Sequence, residues 1–210
     1  MKLVSTLAVG TLALFPLSSL ADHTVIDGLE FGPLAQLVGT WKTVDTGVDL
    51  SPAQAGTEQG KGAPAITPFY EVMTFEVAAD AVNASEQTLV ALYYKQEVFR
   101  KADDSKFHDQ RGYFIYDQEN QVVYNSFCVP RTTCVTAEGP AGNNMTLTMS
   151  DRGVAESNFM QQKASTTGFT MNLNIEGDTL TYSQSTMLKI YDGEFAHTDS
   201  SVLERVKANN

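Results

Sequence analysis

Two stretches, Met145-Thr-Leu-Thr-Met149 and Phe169-Thr-Met-Asn-Leu-Asn-Ile175, alternate apolar residues with Thr or Asn. A β-strand turns successive side chains to opposite faces, so a rhythm of two builds an antiparallel sheet with one dry face and one wet face. Further strand candidates run from Phe69 to Val77, Thr88 to Arg100, Gly112 to Tyr116, Gln121 to Phe127, Leu180 to Ile190 and Ser201 to Val206. Turn-forming residues separate them, at Asp117-Gln-Glu-Asn120 and at Glu176-Gly177-Asp178. The helical period of 3.6 is missing apart from one candidate turn, Pro33 to Leu37, which Pro33 could start. The fold class is therefore all-β: a single antiparallel up-and-down β-barrel of roughly ten strands, with a sandwich as the alternative. Closure into a barrel also removes the open edges that so many strands would leave.

No shift in composition divides the 210 residues, and 42% hydrophobic against 19% charged residues supplies a core and excludes a disordered chain. Fourteen Lys and Arg against 25 Asp and Glu give a formal charge of −11, which repels a phosphate backbone and disfavours an anionic membrane surface. Nucleic acid is excluded as a partner. The N-terminus carries Lys2, an apolar run from Leu3 to Leu17, and small residues at Ser19 and Ala21, the pattern of a secretory signal peptide. An uncleaved anchor is the alternative, but Gly10 and Pro16 interrupt the run. The expected organisation is a signal peptide over 1–21 and a single β-barrel domain over 22–210, its core about 31–206, with a long loop or insertion about 48–67. No later segment approaches the roughly 18 apolar residues of a spanning helix, so the expectation is export to the periplasm or beyond, with no membrane span after signal cleavage.

Export makes a disulfide permissible for Cys128 and Cys134, the only two cysteines. They flank Val-Pro-Arg-Thr-Thr and could pin the end of a hairpin; two free thiols on adjacent strands are the alternative. Their spacing excludes a CxxC redox pair.

The usual catalytic patterns are absent: no GxSxG, HExxH, Walker loop or cysteine-rich metal motif. Histidine occurs three times, at 23, 108 and 197. Four small motifs remain: Leu37-Val-Gly-Thr-Trp41-Lys42 with the single Trp, Pro68-Phe-Tyr-Glu71, the strand ending Tyr94-Lys-Gln96 followed by Phe107-His108-Asp-Gln110-Arg-Gly112-Tyr113, and Phe195-Ala-His197-Thr-Asp199 before the last strand. Trp41 reads first as a plug at a barrel end, because a large buried ring seals an interior. The methionines at 145, 149, 171 and 187 read as core filling.

In that order the motifs resemble the nitrobindin-like haem-binding β-barrels, similar in shape to fatty-acid-binding proteins and lipocalins, over about Phe31 to Val206. The resemblance implies haem b as cofactor, His197 as axial iron ligand, and His108 as a second histidine beside the cofactor. A neutral imidazole is a good iron ligand, and an acceptor on its other nitrogen fixes its tautomer. Asp103, Asp104 and Asp109 around His108 point instead to a solvated turn, and an exposed loop His is the competing reading of His197. The resemblance further implies action on reactive nitrogen species, turning peroxynitrite into nitrate at ferric haem; the sequence leaves the enzyme question open. This chain departs from the pattern where Lys42 to Leu50 replaces a glycine-rich stretch, where Gln110 replaces Glu, and in the Cys128 to Cys134 loop. The competing functions are a lipocalin-like carrier of a small apolar ligand without metal, and a structural barrel filled by its own side chains.

Overall fold

The computed structural model describes residues 24–207, so the signal-peptide reading of 1–21 and His23 lie outside the described residues. In chain order the elements are β1 (Val25–Ile26), β2 (Leu29–Glu30), a 3₁₀ turn (Gly32–Leu37), β3 (Gly39–Thr43), β4 (Gly47–Pro52), β5 (Pro64–Val77), β6 (Ala81–Asn83), β7 (Gln87–Arg100), β8 (Lys106–Asp117), β9 (Val122–Val129), β10 (Thr133–Pro140), β11 (Asn144–Glu156), α1 (Asn158–Lys163), β12 (Ala164–Glu176), β13 (Thr179–Ile190) and β14 (Gly193–Arg205). From β7 to β14 each strand pairs antiparallel with the next. The ring closes because β5 pairs with β7 on one side and with β3 and β4 on the other, and both of these pair with β14. β3 and β4 act as two halves of one interrupted strand, giving a closed barrel of ten strands. The short β6 lies on the start of β7, and β1 with β2 forms a separate hairpin.

Three features correct the sequence reading. β4 and the first residues of β5 occupy much of the stretch expected as a loop over 48–67, which leaves 53–63 as the connection. The signal failed because β4 reverses the usual polarity: Asp49 is buried and Val48 is 42% exposed. β10 also carries a weak signal, since of its buried positions Thr133, Val135 and Ala137 only Val135 is both apolar and strand-favouring. The helix α1 buries none of its six residues, so it has no apolar face to show a period; Ser157 caps it by accepting from the Met160 N–H.

The barrel interior is divided. At one end the 3₁₀ turn inserts Phe31, Leu34 and Leu37 as a plug against Trp41, Phe75, Leu92 and Phe114, and this half is packed solid. Pro33 opens that turn as expected. Strand parity sends Tyr94, Tyr116 and Tyr182 inward, while Tyr93 and Tyr113 meet edge to face outside at 5.9 Å. Gly112 lets β8 approach β9, because a Cβ there would stand 2.1 Å from the Ser126 carbonyl oxygen. Above the packed half lies a polar layer, and above that an open cavity.

Cys128 and Cys134 are directly opposed in the β9–β10 pairing and form a disulfide, so both halves of that expectation hold. Closing so short a loop removes little chain entropy from the unfolded state. Reduction or Cys128→Ser with Cys134→Ser is expected to lower stability by about 2 kcal/mol. Denaturant unfolding of oxidised and reduced protein measures this, and a loss above about 4 kcal/mol would refute the entropic account.

Candidate functional site

The open half holds a cavity of about 470 Å³. Phe69, Val98, Phe107, Phe127, Phe169 and Leu188 give it apolar walls, and Arg100 and Arg131 also line it. The 53–63 connection supplies Gln54, Thr57 and Gln59, facing Met160 of α1 and Tyr191 of the β13–β14 turn. The inserted segment therefore borders the cavity without filling it. A barrel filled throughout by its own side chains is excluded.

The polar residues are set by strand register. On β14 the inward positions step by two through His197, Asp199, Ser201 and Leu203, a column running from cavity to core. Asp199 is directly opposed by Asp49 of β4 on one side and by Gln184 of β13 on the other. His197 Nε2 lies 2.5 Å from Asp49 Oδ2 and 3.6 Å from Asp199 Oδ1. Gln184 donates through Nε2 to Asp199 Oδ2 at 3.0 Å. His197 is thus a half-buried wall residue of the cavity, and its exposed-loop reading falls away.

These contacts decide protonation. Burial works against an imidazolium at His197, but hydrogen bonds to Asp199 and Asp49 and their negative charges outweigh it and push the pKa up to about 9. Burial would raise Asp199, yet the hydrogen bond and charge of His197 hold it down at about 2. Asp49 goes up, through burial first and then the neighbouring Asp199, against the pull of His197. At neutral pH the imidazole carries a proton between two carboxylates.

His108 stands on β8, four pairings around the ring from β14, and lines the same cavity. It is half-buried, which corrects the solvated-turn reading; Asp103 and Asp104 are exposed while His108 faces inward. Burial lowers its pKa, against the raising influence of Asp199 and of the Gln110 side chain, whose Oε1 is 3.3 Å from Nε2. The two histidines therefore differ in charge, His108 neutral and His197 cationic. Beneath them Gln96 Nε2 donates to Glu71 Oε2 at 2.6 Å, the Tyr182 hydroxyl donates to the same oxygen at 3.1 Å, and Gln110 Nε2 donates to the Tyr94 hydroxyl.

Asp49, Gln184, Arg100 and Arg131 were missed by sequence reasoning. Nothing local marks them: Asp49 and His197 are 148 residues apart in sequence, and only barrel closure joins them.

A haem requires an imidazole donor, apolar faces and polar partners for its propionates. His197 would supply the first, the aromatic and aliphatic walls the second, and Arg100 and Arg131 the third. Metal-bound histidines commonly keep a carboxylate on the other ring nitrogen, whereas Asp49 and Asp199 both lie against Nε2. The residues present fit the group, on the condition that Nε2 gives up the proton it now shares with Asp49 before it donates to iron.

The fold and site together are a closed antiparallel barrel, plugged at one end and carrying two histidines in a cavity at the other. Residues 30–205 match the family described as THAP4-like, heme-binding β-barrel domain, and the chain belongs to that family. Its structure is similar to the crystal structure of Rv2717c from M. tuberculosis, with a TM-score of 0.58, 18% sequence identity, and coverage of 83% of this chain and 95% of that one. No curated protein matches the chain. The nitrobindin-like resemblance and the all-β barrel expected from the sequence are both upheld. Among the described residues no helix is long and apolar enough to cross a membrane.

Proposed function

We propose that this is an exported haem-binding barrel in which His197 ligates the iron and His108 faces the cofactor from another wall. The observation that carries the reading is a half-buried histidine, His197, in an apolar-walled cavity that Arg100 and Arg131 also line, in a chain of a haem-binding barrel family. When bound, ferric haem would supply the Lewis-acidic centre at which peroxynitrite could be turned into nitrate. The chain's own residues do the rest. His197 yields its Nε2 proton, and Asp49 and Asp199 are the bases beside it. Neutral His108 offers a hydrogen-bond donor to an oxyanion in the cavity. The 53–63 connection and Tyr191 complete the cavity lining.

Haemin titration of the mature protein tests this: a saturable Soret shift is expected, weakened at least tenfold in His197→Ala, and an identical shift in that variant sinks the ligand assignment. His108→Ala is expected to keep the shift but slow stopped-flow decay of peroxynitrite; no acceleration over free haemin in the wild type leaves a binding protein only. Because ligation needs the neutral imidazole and His197 titrates at about 9, haemin affinity is expected to rise about tenfold per pH unit up to that value and then level off. Affinity that falls as pH rises from 6 to 8 contradicts it. Mass spectrometry of exported protein checks the signal reading, through loss of residues 1–21.

A second reading has one observation in its favour. Asp49 holds the nitrogen iron would need, so a carrier of a small apolar ligand without metal uses the cavity as it stands. Displacement of a fluorescent fatty acid without any haemin response selects that reading.

A further inference from the structure

Asp49 and Asp199 are directly opposed on the inward faces of β4 and β14. Like charges in that position repel across a sheet, and burial strengthens the repulsion. Nε2 of His197 and one oxygen from each carboxylate lie within 4.8 Å of one another. A second observation is independent of the triad. Gln184, opposed to Asp199 on β13, is 7% exposed, gives its amide nitrogen to Asp199, and leaves its Oε1 buried without a partner. The other two buried side-chain atoms without partners among the described residues are Glu71 Oε1 and Asn125 Oδ1, again oxygens. Gln184 thus leaves a buried lone pair next to the carboxylate pair of Asp199 and Asp49, and the complement of such a group of oxygens is a cation.

The geometry points to a binding site for a first-row divalent cation at Asp49, His197 and Asp199, with the Gln184 amide oxygen as a fourth donor. Two carboxylates and a neutral imidazole balance a charge of two, and the ion replaces the proton now shared by His197 and Asp49. One nitrogen among oxygens suits zinc or manganese better than the all-oxygen cages of calcium or magnesium. The site goes beyond the haem reading, since an ion held by these side chains needs no porphyrin. It takes the same imidazole, so the two occupants exclude each other.

The test is titration of chelator-stripped mature protein with Co²⁺, followed by visible absorption, and with Zn²⁺, followed by calorimetry. One ion per chain is expected, with affinity reduced at least about tenfold in His197→Ala, Asp49→Asn and Asp199→Asn, and more mildly in Gln184→Leu. Thermal melts of each variant without metal establish that it is folded, and Gln184→Glu, which adds a carboxylate without adding bulk, is expected to bind more tightly. Absence of saturable binding, or binding unchanged in the folded His197→Ala and Asp199→Asn variants, overturns the site. Haemin separates the two readings: ion binding with no Soret shift removes the haem reading and keeps this one, whereas a His197-dependent shift without Co²⁺ binding does the reverse.

Discussion

Trp41→Ala is expected to lower unfolding stability by about 3–5 kcal/mol, which for a chain of this size lowers Tm by roughly 6–20 °C. Trp41 is 0% exposed and lies in the packed half of the barrel, against the plug of Phe31, Leu34 and Leu37. Its loss opens a cavity that strands on every side hold in place, so the space cannot collapse. Two further contacts go with the ring. Nε1 donates to the Leu37 carbonyl at 2.7 Å, which ties the 3₁₀ turn to β3, and the Arg205 guanidinium stacks 4.1 Å from the ring centroid. Arg205 in turn donates to the carbonyls of Gln36 and Val38, so the plug, β3 and β14 share one latch. Trp41→Phe keeps most of the apolar volume and is expected to lose only about 1–2 kcal/mol. Denaturant unfolding of the three proteins decides; equal losses in both variants would place the energy in the hydrogen bond instead of the packing.

That packed half is also the part most legible in the sequence. Met145, Leu147, Met171, Leu173 and Ile175 alternate with Thr and Asn, and they all face inward because the apolar face of each strand meets the core there. The same rule failed at β4. On β4 the buried positions are Gly47, where a Cβ would meet the Phe69 ring, and Asp49, which bonds His197, while the apolar Val48 points out. Pattern reading assumes that inward means apolar, and it loses strands wherever the interior is a binding site.

Of the candidate site, the motifs supplied His197 and His108, each with a polar neighbour two residues on, Asp199 and Gln110. Asp199 was visible as a neighbour two residues from His197, and β14 parity brings both onto one face. Asp49 and Gln184 join them only through pairings of β14 with β4 and β13. Long-range register of this kind leaves no trace in a single sequence, because any inward residue at the right height would serve. Glu71 was named within its motif, yet its role in the layer under the cavity depends on Gln96 and Tyr182, which arrive from β7 and β13.

Glu71→Gln is expected to stabilise the protein by about 3 kcal/mol at pH 8 and by about 0.8 kcal/mol at pH 5. Glu71 is 1% exposed, and its Oε1 has no hydrogen-bond partner. Burial is the largest influence on it and outweighs the hydrogen bonds of Gln96, Ser201 and Tyr182, pushing the carboxyl from 4.5 up to about 7. Between those two values the folded chain keeps a proton that the unfolded chain has released, so stability falls as pH rises through that window. Below about 4.5 both states are protonated and the penalty vanishes; above about 7 both are ionised and it is constant. Gln carries no charge at any pH and retains the carbonyl oxygen that Gln96 and Tyr182 address, so the variant escapes the penalty. Urea unfolding of both proteins from pH 4 to pH 8 reads the effect as two curves that diverge with rising pH. Parallel curves would show that the carboxyl titrates as it does in the unfolded chain, and that burial does not govern it. A diverging pair means the fold carries a buried acid at the boundary between its packed half and its cavity, against its own stability, where Gln96 and Tyr182 both reach the cavity wall.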